Sequence, residues 1–343
     1  MIALVKTKPG PGNLNLIDVK EPECDENHLK IEIKYAGICG TDIHVKEDTF
    51  KNYPPVILGH ELSGVIVEKG KNIKKYKPGD FVTILGSTSV LCGDCEYCKS
   101  GYYVFCKERR GMGHGTNGGF CKYVVVREDM IYPIQKNFSL KIASLAEPLA
   151  TAVQAVEELC TILSSDTILV SGPGPIGLLC LALLVNKGCK VIMTGTSSDH
   201  SRFLCAKKLG AYKTIDVVKE NVDNIINSET EGRGADVIIE CSGSFSAVNK
   251  GLQLVKKLGK YIQVGISGRK EEIDWDTILY KQLRVFGSIG HTHKSWEKVI
   301  RIFNNGEIDF SPIISHEFPL SEWEEAFDLV ENKQGNKILL YPD

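Results

Sequence analysis

Thr167-Ile-Leu-Val-Ser-Gly-Pro-Gly-Pro-Ile-Gly177 joins a short branched run to glycines spaced G-x-G-x-x-G. An apolar segment of helical length, 176–187, comes next and stops at Gly188. In that context Gly172 permits the tight turn and Gly174 lets the backbone approach a pyrophosphate. Gly177 lets helix and strand pack closely. Pro175 and Ile176 open the helix, whose first N–H groups suit phosphate oxygens. A plain glycine turn would satisfy the same spacing, but the next hundred residues argue against it. A second strand, 190–194, leads to a second helix, 199–209, closed by Gly210, and strands 236–240, 260–264 and 283–286 continue the series. Strands alternating with helices imply a doubly wound parallel sheet covered on both faces.

Upstream of about residue 148 the character differs. Runs such as 29–35 and 81–85 read as strands, punctuated by Pro54-Pro55, Pro78-Gly79-Asp80 and the glycines of 111–119. The last fifty or so residues are mixed, with helices expected at 296–304 and 323–331. A chain of 343 residues has room for two such domains. Lysine plus arginine (41) nearly cancels aspartate plus glutamate (43), so no basic excess points to nucleic acid. The longest apolar run, 176–185, is about half of what spans a bilayer. Met1-Ile-Ala-Leu-Val-Lys6 lacks the long apolar core of a signal peptide, so a cytoplasmic protein is expected. In that compartment the twelve cysteines are not expected to form disulfides.

Cys92, Cys95, Cys98 and Cys106 form the pattern C-x2-C-x2-C-x7-C. Four thiolates on one loop suit a closed, structural zinc site. A redox pair leaves two of them unexplained, and an iron–sulfur cluster usually brackets its last cysteine with proline. A second group is more scattered: Cys39, His60 and Glu61, with Glu147 just before Pro148. Three such ligands would make an open, catalytic zinc site, although residues so far apart are as readily core and surface.

An acid normally ends the second strand of a dinucleotide fold and bonds the ribose hydroxyls. Here that position is Gly195, followed by Thr196, Ser197 and Ser198, with Arg202 further on. Without the carboxylate a 2′-phosphate is not repelled, and the hydroxyls and Arg202 offer it donors. The reading leans toward NADP, while Arg202 also fits an ordinary exposed helix position.

Taken in order, Cys39-Gly-Thr41-Asp42-x-His44, Gly59-His60-Glu61-x-x-Gly64-x5-Gly70, the four-cysteine lobe, Glu147-Pro148 and the loop 172–177 resemble the zinc-containing medium-chain dehydrogenase/reductase family. Within it they resemble the polyol (sorbitol-like) and threonine dehydrogenase branch. Ile73 stands for the signature's valine, and Gly195 for the acid of NAD-using members. The resemblance implies an α/β protein with a GroES-like β-rich catalytic domain over 1–148, carrying a zinc lobe at about 88–110. A Rossmann NAD(P)-binding domain over 149–290 comes after it, and 291–343 returns to the catalytic domain. It also implies one catalytic and one structural zinc per chain, with Glu61 or Glu147 completing the catalytic set of Cys39 and His60. Thr41 and His44 would carry a proton outward, and Asp42 would hold the His60 ring. The implied substrate is a secondary alcohol, a polyol or sugar alcohol going to the ketose, with L-threonine as the alternative. A homo-oligomer, tetramer or dimer, is implied too. A non-catalytic, zinc-stabilised NAD(P)-binding protein fits less well, because a pure binder needs none of Cys39, Thr41, His60 and Glu61.

Overall fold

The structure is a computed structural model that describes residues 1–268, 270 and 272–343. It falls into two compact units, one of Met1–Ala150, His291–Gly306 and Ile314–Asp343, the other of Thr151–Gly290 and Glu307–Ile313.

The second unit is built on six parallel strands. Their spatial order is Lys213–Asp216, Lys190–Gly195, Thr167–Ser171, Ala235–Glu240, Val255–Gln263, Arg284–Gly287. This is the doubly wound order, with the first strand at the centre and the chain reversing direction beside it. Ile168, Leu169 and Val170 are buried, as a strand covered on both faces requires. Helix Pro175–Asn186 is buried almost all round, which explains its unbroken apolar run. The expected helix 199–209 is His200–Lys208 between its caps Asp199 and Leu209, entered by a turn, Ser197–Asp199, that Thr196 and Asp199 cap reciprocally. Residues 307–313 lie with this unit and not with the tail. Phe310 and Ile313 are buried there, and the Pro312 carbonyl accepts from Cys205 Sγ at 3.2 Å.

In the first unit the long strand His28–Gly37 organises the main sheet. It pairs antiparallel with Glu61–Lys69 on one side and with Tyr123–Arg127 and Lys337–Tyr341 on the other. Its alternate residues Leu29, Ile31 and Ile33 are buried in one core with Leu62, Ile66, Val124 and Leu340. Tail helix Trp323–Glu331 closes that core, its Phe327 ring edge-on to Phe120 at 6.3 Å. Register then assembles a site from distant residues. Gly37 faces both Glu61 and Leu339, so Cys39, His60 and Lys337 reach the same end of the sheet.

Candidate active site

Cys39 caps helix Gly40–Lys46, and Asp42 in its first turn accepts the Cys39 N–H at 2.9 Å. Asp42 is buried, also accepts the Gly59 N–H at 3.3 Å, and stands 3.5 Å from His60 Nδ1. That is long for a hydrogen bond, and among the described residues the buried Nδ1 has no hydrogen-bond partner. Ligand atoms of Cys39, His60 and Glu61 lie within 4.8 Å of one another. A sulfur, an imidazole and a carboxylate converging so closely fit a metal with one position open. Burial works against protonation of His60, but the Asp42 carboxylate and the Cys39 thiol outweigh it and hold its pKa well above the ordinary value.

Two partners of this cluster carry no signal in the sequence. Lys337 is buried and gives its ammonium to both Glu61 oxygens at 2.7 Å and to the Ile38 carbonyl at 3.0 Å. Only glycine at position 37 leaves room for that carboxylate, since a Cβ there would stand 2.1 Å from Glu61 Oε2. Burial pushes the Glu61 pKa up, against the charge of Lys337.

The second partner is His291. Glu147, in the first turn of helix Ala146–Val153, lies outside the Cys39–His60–Glu61 group and accepts from His291 Nε2 at 3.1 Å. The other ring nitrogen of His291 faces Trp296 Nε1 at 2.9 Å and the Tyr103 hydroxyl at 2.8 Å. An indole N–H can only donate, so Nδ1 is an acceptor and the proton sits on Nε2, aimed at Glu147. Burial opposes ionisation of Glu147, yet the hydrogen bond from His291 outweighs it and holds the pKa below the usual carboxylate range.

Thr41 Oγ1 is 3.7 Å from Cys39 Sγ. His44 is exposed and its Nδ1 pairs with Thr49 Oγ1 at 3.1 Å. In the other constellation Cys92, Cys95, Cys98 and Cys106 also converge within 4.8 Å, with sulfur separations of 3.9 Å (Cys92–Cys98) and 3.6 Å (Cys92–Cys106). A tetrahedron with bonds of about 2.3 Å has edges of about 3.8 Å, so these thiols fit a single ion. All four are free of disulfides.

The glycine loop keeps the spacing for steric reasons. Gly172 has φ +92°, and a Cβ on Gly177 would stand 2.0 Å from the Gly172 carbonyl oxygen. A Cβ on Gly174 meets nothing within 4 Å, so this turn is open where a pyrophosphate would approach the start of Pro175–Asn186. At the end of the second strand Gly195 is closely packed: a Cβ would lie 2.9 Å from Pro173 Cγ and 3.0 Å from Phe203 Cζ. The polar groups beyond it are engaged with two acids. Thr196 bonds Asp199 at 2.9 Å, Ser197 bonds Asp216 at 2.7 Å, and Arg202 lies 3.2 Å from Asp199.

Comparison with known proteins meets this geometry. Residues 25–136 match the alcohol dehydrogenase GroES-like domain, and residues 175–305 match the zinc-binding dehydrogenase domain. D-arabitol-phosphate dehydrogenase of Enterococcus avium is 39% identical over 98% of this chain and 96% of its own length. This chain belongs to the zinc-binding alcohol dehydrogenase family. Sorbitol dehydrogenase of Halalkalibacterium halodurans is similar to this dehydrogenase at 36% identity over 100% of this chain and 99% of its own. A solved zinc-binding dehydrogenase of Sinorhizobium meliloti, bound to NADP, superposes with a TM-score of 0.90 at 30% identity, covering 99% of each chain. The dehydrogenase is therefore a zinc-dependent, NAD(P)-linked oxidoreductase of mixed α/β fold. Among the described residues no helix is long and apolar enough to cross a membrane.

Proposed function

We propose that this dehydrogenase oxidises a secondary hydroxyl of a polyol or sugar alcohol to the ketose, transferring hydride to NAD(P). The observation that carries the reading is the donor set of one sulfur, one imidazole and a carboxylate within 4.8 Å. One thiolate in place of two makes a harder, more oxygen-tolerant centre, suited to a substrate with neighbouring hydroxyls. The names of its relatives, a polyol-phosphate and a sorbitol dehydrogenase, support the same class.

In this reading Cys39, His60 and Glu61 hold the catalytic zinc, with Glu147 as the alternative carboxylate. Zinc bound there supplies Lewis acidity to the substrate oxygen. Asp42, facing Nδ1, keeps the His60 ring turned so that its other nitrogen meets the metal. Lys337 holds the Glu61 carboxylate, and His291 holds that of Glu147. Thr41, close to the Cys39 sulfur, receives the hydroxyl proton, and His44 on the same helix passes it to solvent. Cys92, Cys95, Cys98 and Cys106 hold the structural zinc. Gly172, Gly174, Pro175, Ile176 and Gly177 cradle the pyrophosphate, while Gly195, Thr196, Ser197 and Arg202 border the adenine ribose. NADP is accepted at least as well as NAD, a reading supported by the missing strand-end acid and by the NADP-bound relative.

A homo-oligomer in the cytoplasm completes the proposal. Arg284–Gly287 is an open edge strand, and Val285 on it and Trp275, Leu279 and Tyr280 just before it are exposed, a surface suited to a second copy of the chain. A kinetic panel of sorbitol, xylitol, galactitol, D-arabitol and its phosphate, and L-threonine tests the function. Turnover of alditols with NADP or NAD is expected. Efficient oxidation of L-threonine with no alditol activity would refute the polyol reading.

A further inference from the structure

Two loops of the first unit make a wall beside His60. A Cβ on Gly86 would stand 3.5 Å from the His60 carbonyl, and one on Gly111 would stand 2.8 Å from His114 Nε2 and 3.5 Å from Ser87 Cα. The loops are laced together by Met112 N to the Gly86 carbonyl at 3.0 Å and Thr116 Oγ1 to Ser89 Oγ at 2.8 Å. Arg109 belongs to this wall. It is half-buried, and its Nε donates to the Ser87 carbonyl at 3.1 Å. That bond uses one of five N–H donors, and the partner is neutral. Among the described residues Arg109 has no carboxylate within ion-pair distance. Beside it Ser87 Oγ is buried without a hydrogen-bond partner among the described residues.

A guanidinium partly drawn out of water with no carboxylate at ion-pair distance is costly unless something else supplies the charge. Burial lowers the Arg109 pKa, opposed by the charge of Glu147 acting from beyond ion-pair distance, and the group stays cationic at any working pH. Burial also brings His114 down to about 4, so His114 is neutral and Arg109 is the half-buried cation of this wall, its neighbour Arg110 being exposed over the Tyr53 ring at 4.4 Å. Its planar fork matches the oxygens of a phosphate, and a hydroxyl can donate to a third.

We propose that Arg109, assisted by Ser87 Oγ, binds the phosphate of a phosphorylated polyol and so selects it over the free alditol. The proposal rests on the polyol reading above and narrows it. A carboxylate could meet the same guanidinium, so L-threonine is the control for the other source of negative charge.

The test compares kcat/KM for D-arabitol phosphate, D-arabitol and L-threonine in the zinc-loaded enzyme, with calorimetric titration of D-arabitol phosphate in the absence of cofactor. The expected result is a preference for the phosphate ester of about tenfold to a hundredfold, the worth of hydrogen bonds to a charged group. Arg109→Gln should reduce that ratio by a similar factor and weaken the calorimetric binding, with part of both restored in Arg109→Lys. Ser87→Ala, on the facing loop, should lower the same ratio and covers the case of an Arg109 variant that does not fold. A wild type that prefers D-arabitol overturns the proposal while the polyol reading stands. So does a phosphate preference that Arg109→Gln and Ser87→Ala leave intact. Oxidation of L-threonine alone removes the polyol reading, and the proposal with it.

Discussion

Lys337 and Glu61 are separated by 276 residues, yet they form a buried pair that borders a metal-ligating group. Removing one partner of such a pair leaves an uncompensated buried charge. Lys337→Met is therefore expected to cost about 3–5 kcal/mol in denaturant unfolding. It should also loosen zinc at the catalytic site, read by competition with a chelator. Unchanged stability and zinc retention would show that the pair does neither job. Gly195 gives a different kind of prediction. Its missing carboxylate suggests Gly195→Asp as a way to turn the enzyme toward NAD, but the new Cβ meets the Pro173 ring in the glycine loop at 2.9 Å. Overpacking of this kind costs about 1–3 kcal/mol. The variant should lose thermal stability and bind both NAD and NADP more weakly. A stable variant with a clean switch to NAD would contradict the packing argument.

The cysteine lobe shows what an element owes to a metal. Tyr97, Tyr102 and Phe105 are exposed on it, and little besides Tyr103 and Cys106 is buried. Binding of a structural zinc is worth about 10–16 kcal/mol in small domains, far more than this exposed surface can replace. Cys95→Ser should thus lower zinc content and drive aggregation on mild heating. In the second unit, Glu229 closes helix Val222–Glu229 and ties two strand starts together, through Lys190 at 2.8 Å and Lys213 at 2.5 Å. Hydrogen bonds from Lys190 and then Lys213 hold its pKa at about 2. A depressed carboxylate pKa stabilises above the unfolded value of about 4.3, and that contribution is lost as pH falls toward the folded value. Unfolding curves between those limits should show the loss in wild type and a flatter acid limb in Glu229→Gln. Equal acid limbs would remove the tie.

At the scale of the whole molecule, legibility followed distance along the chain. The glycine loop and the four cysteines are compact because one turn or one lobe must hold the ligand by itself, so spacing alone exposes them. The alternation of strands and helices likewise revealed the parallel sheet. Cys39, His60 and Glu61 are brought together by strand register, which a single sequence does not print, and only their match to a family's motif order marked them. Lys337 and His291 had neither aid: one heads an ordinary apolar strand, the other sits before a helix, and their partners lie 276 and 144 residues away. Around Gly195, Thr196, Ser197 and Arg202 are engaged with Asp199 and Asp216, pairings that the order of residues does not print because Asp216 comes from the neighbouring strand.

A metal held by Cys39, His60 and a carboxylate as the driver of alditol oxidation has a direct test. Zinc per chain and NAD(P)-linked alditol turnover should be measured together in wild type and His60→Ala. About two zinc ions and turnover are expected in the wild type, against about one zinc, no turnover and a near-native melting temperature in the variant. A His60→Ala protein that keeps both its zinc content and its activity would contradict that role for the metal.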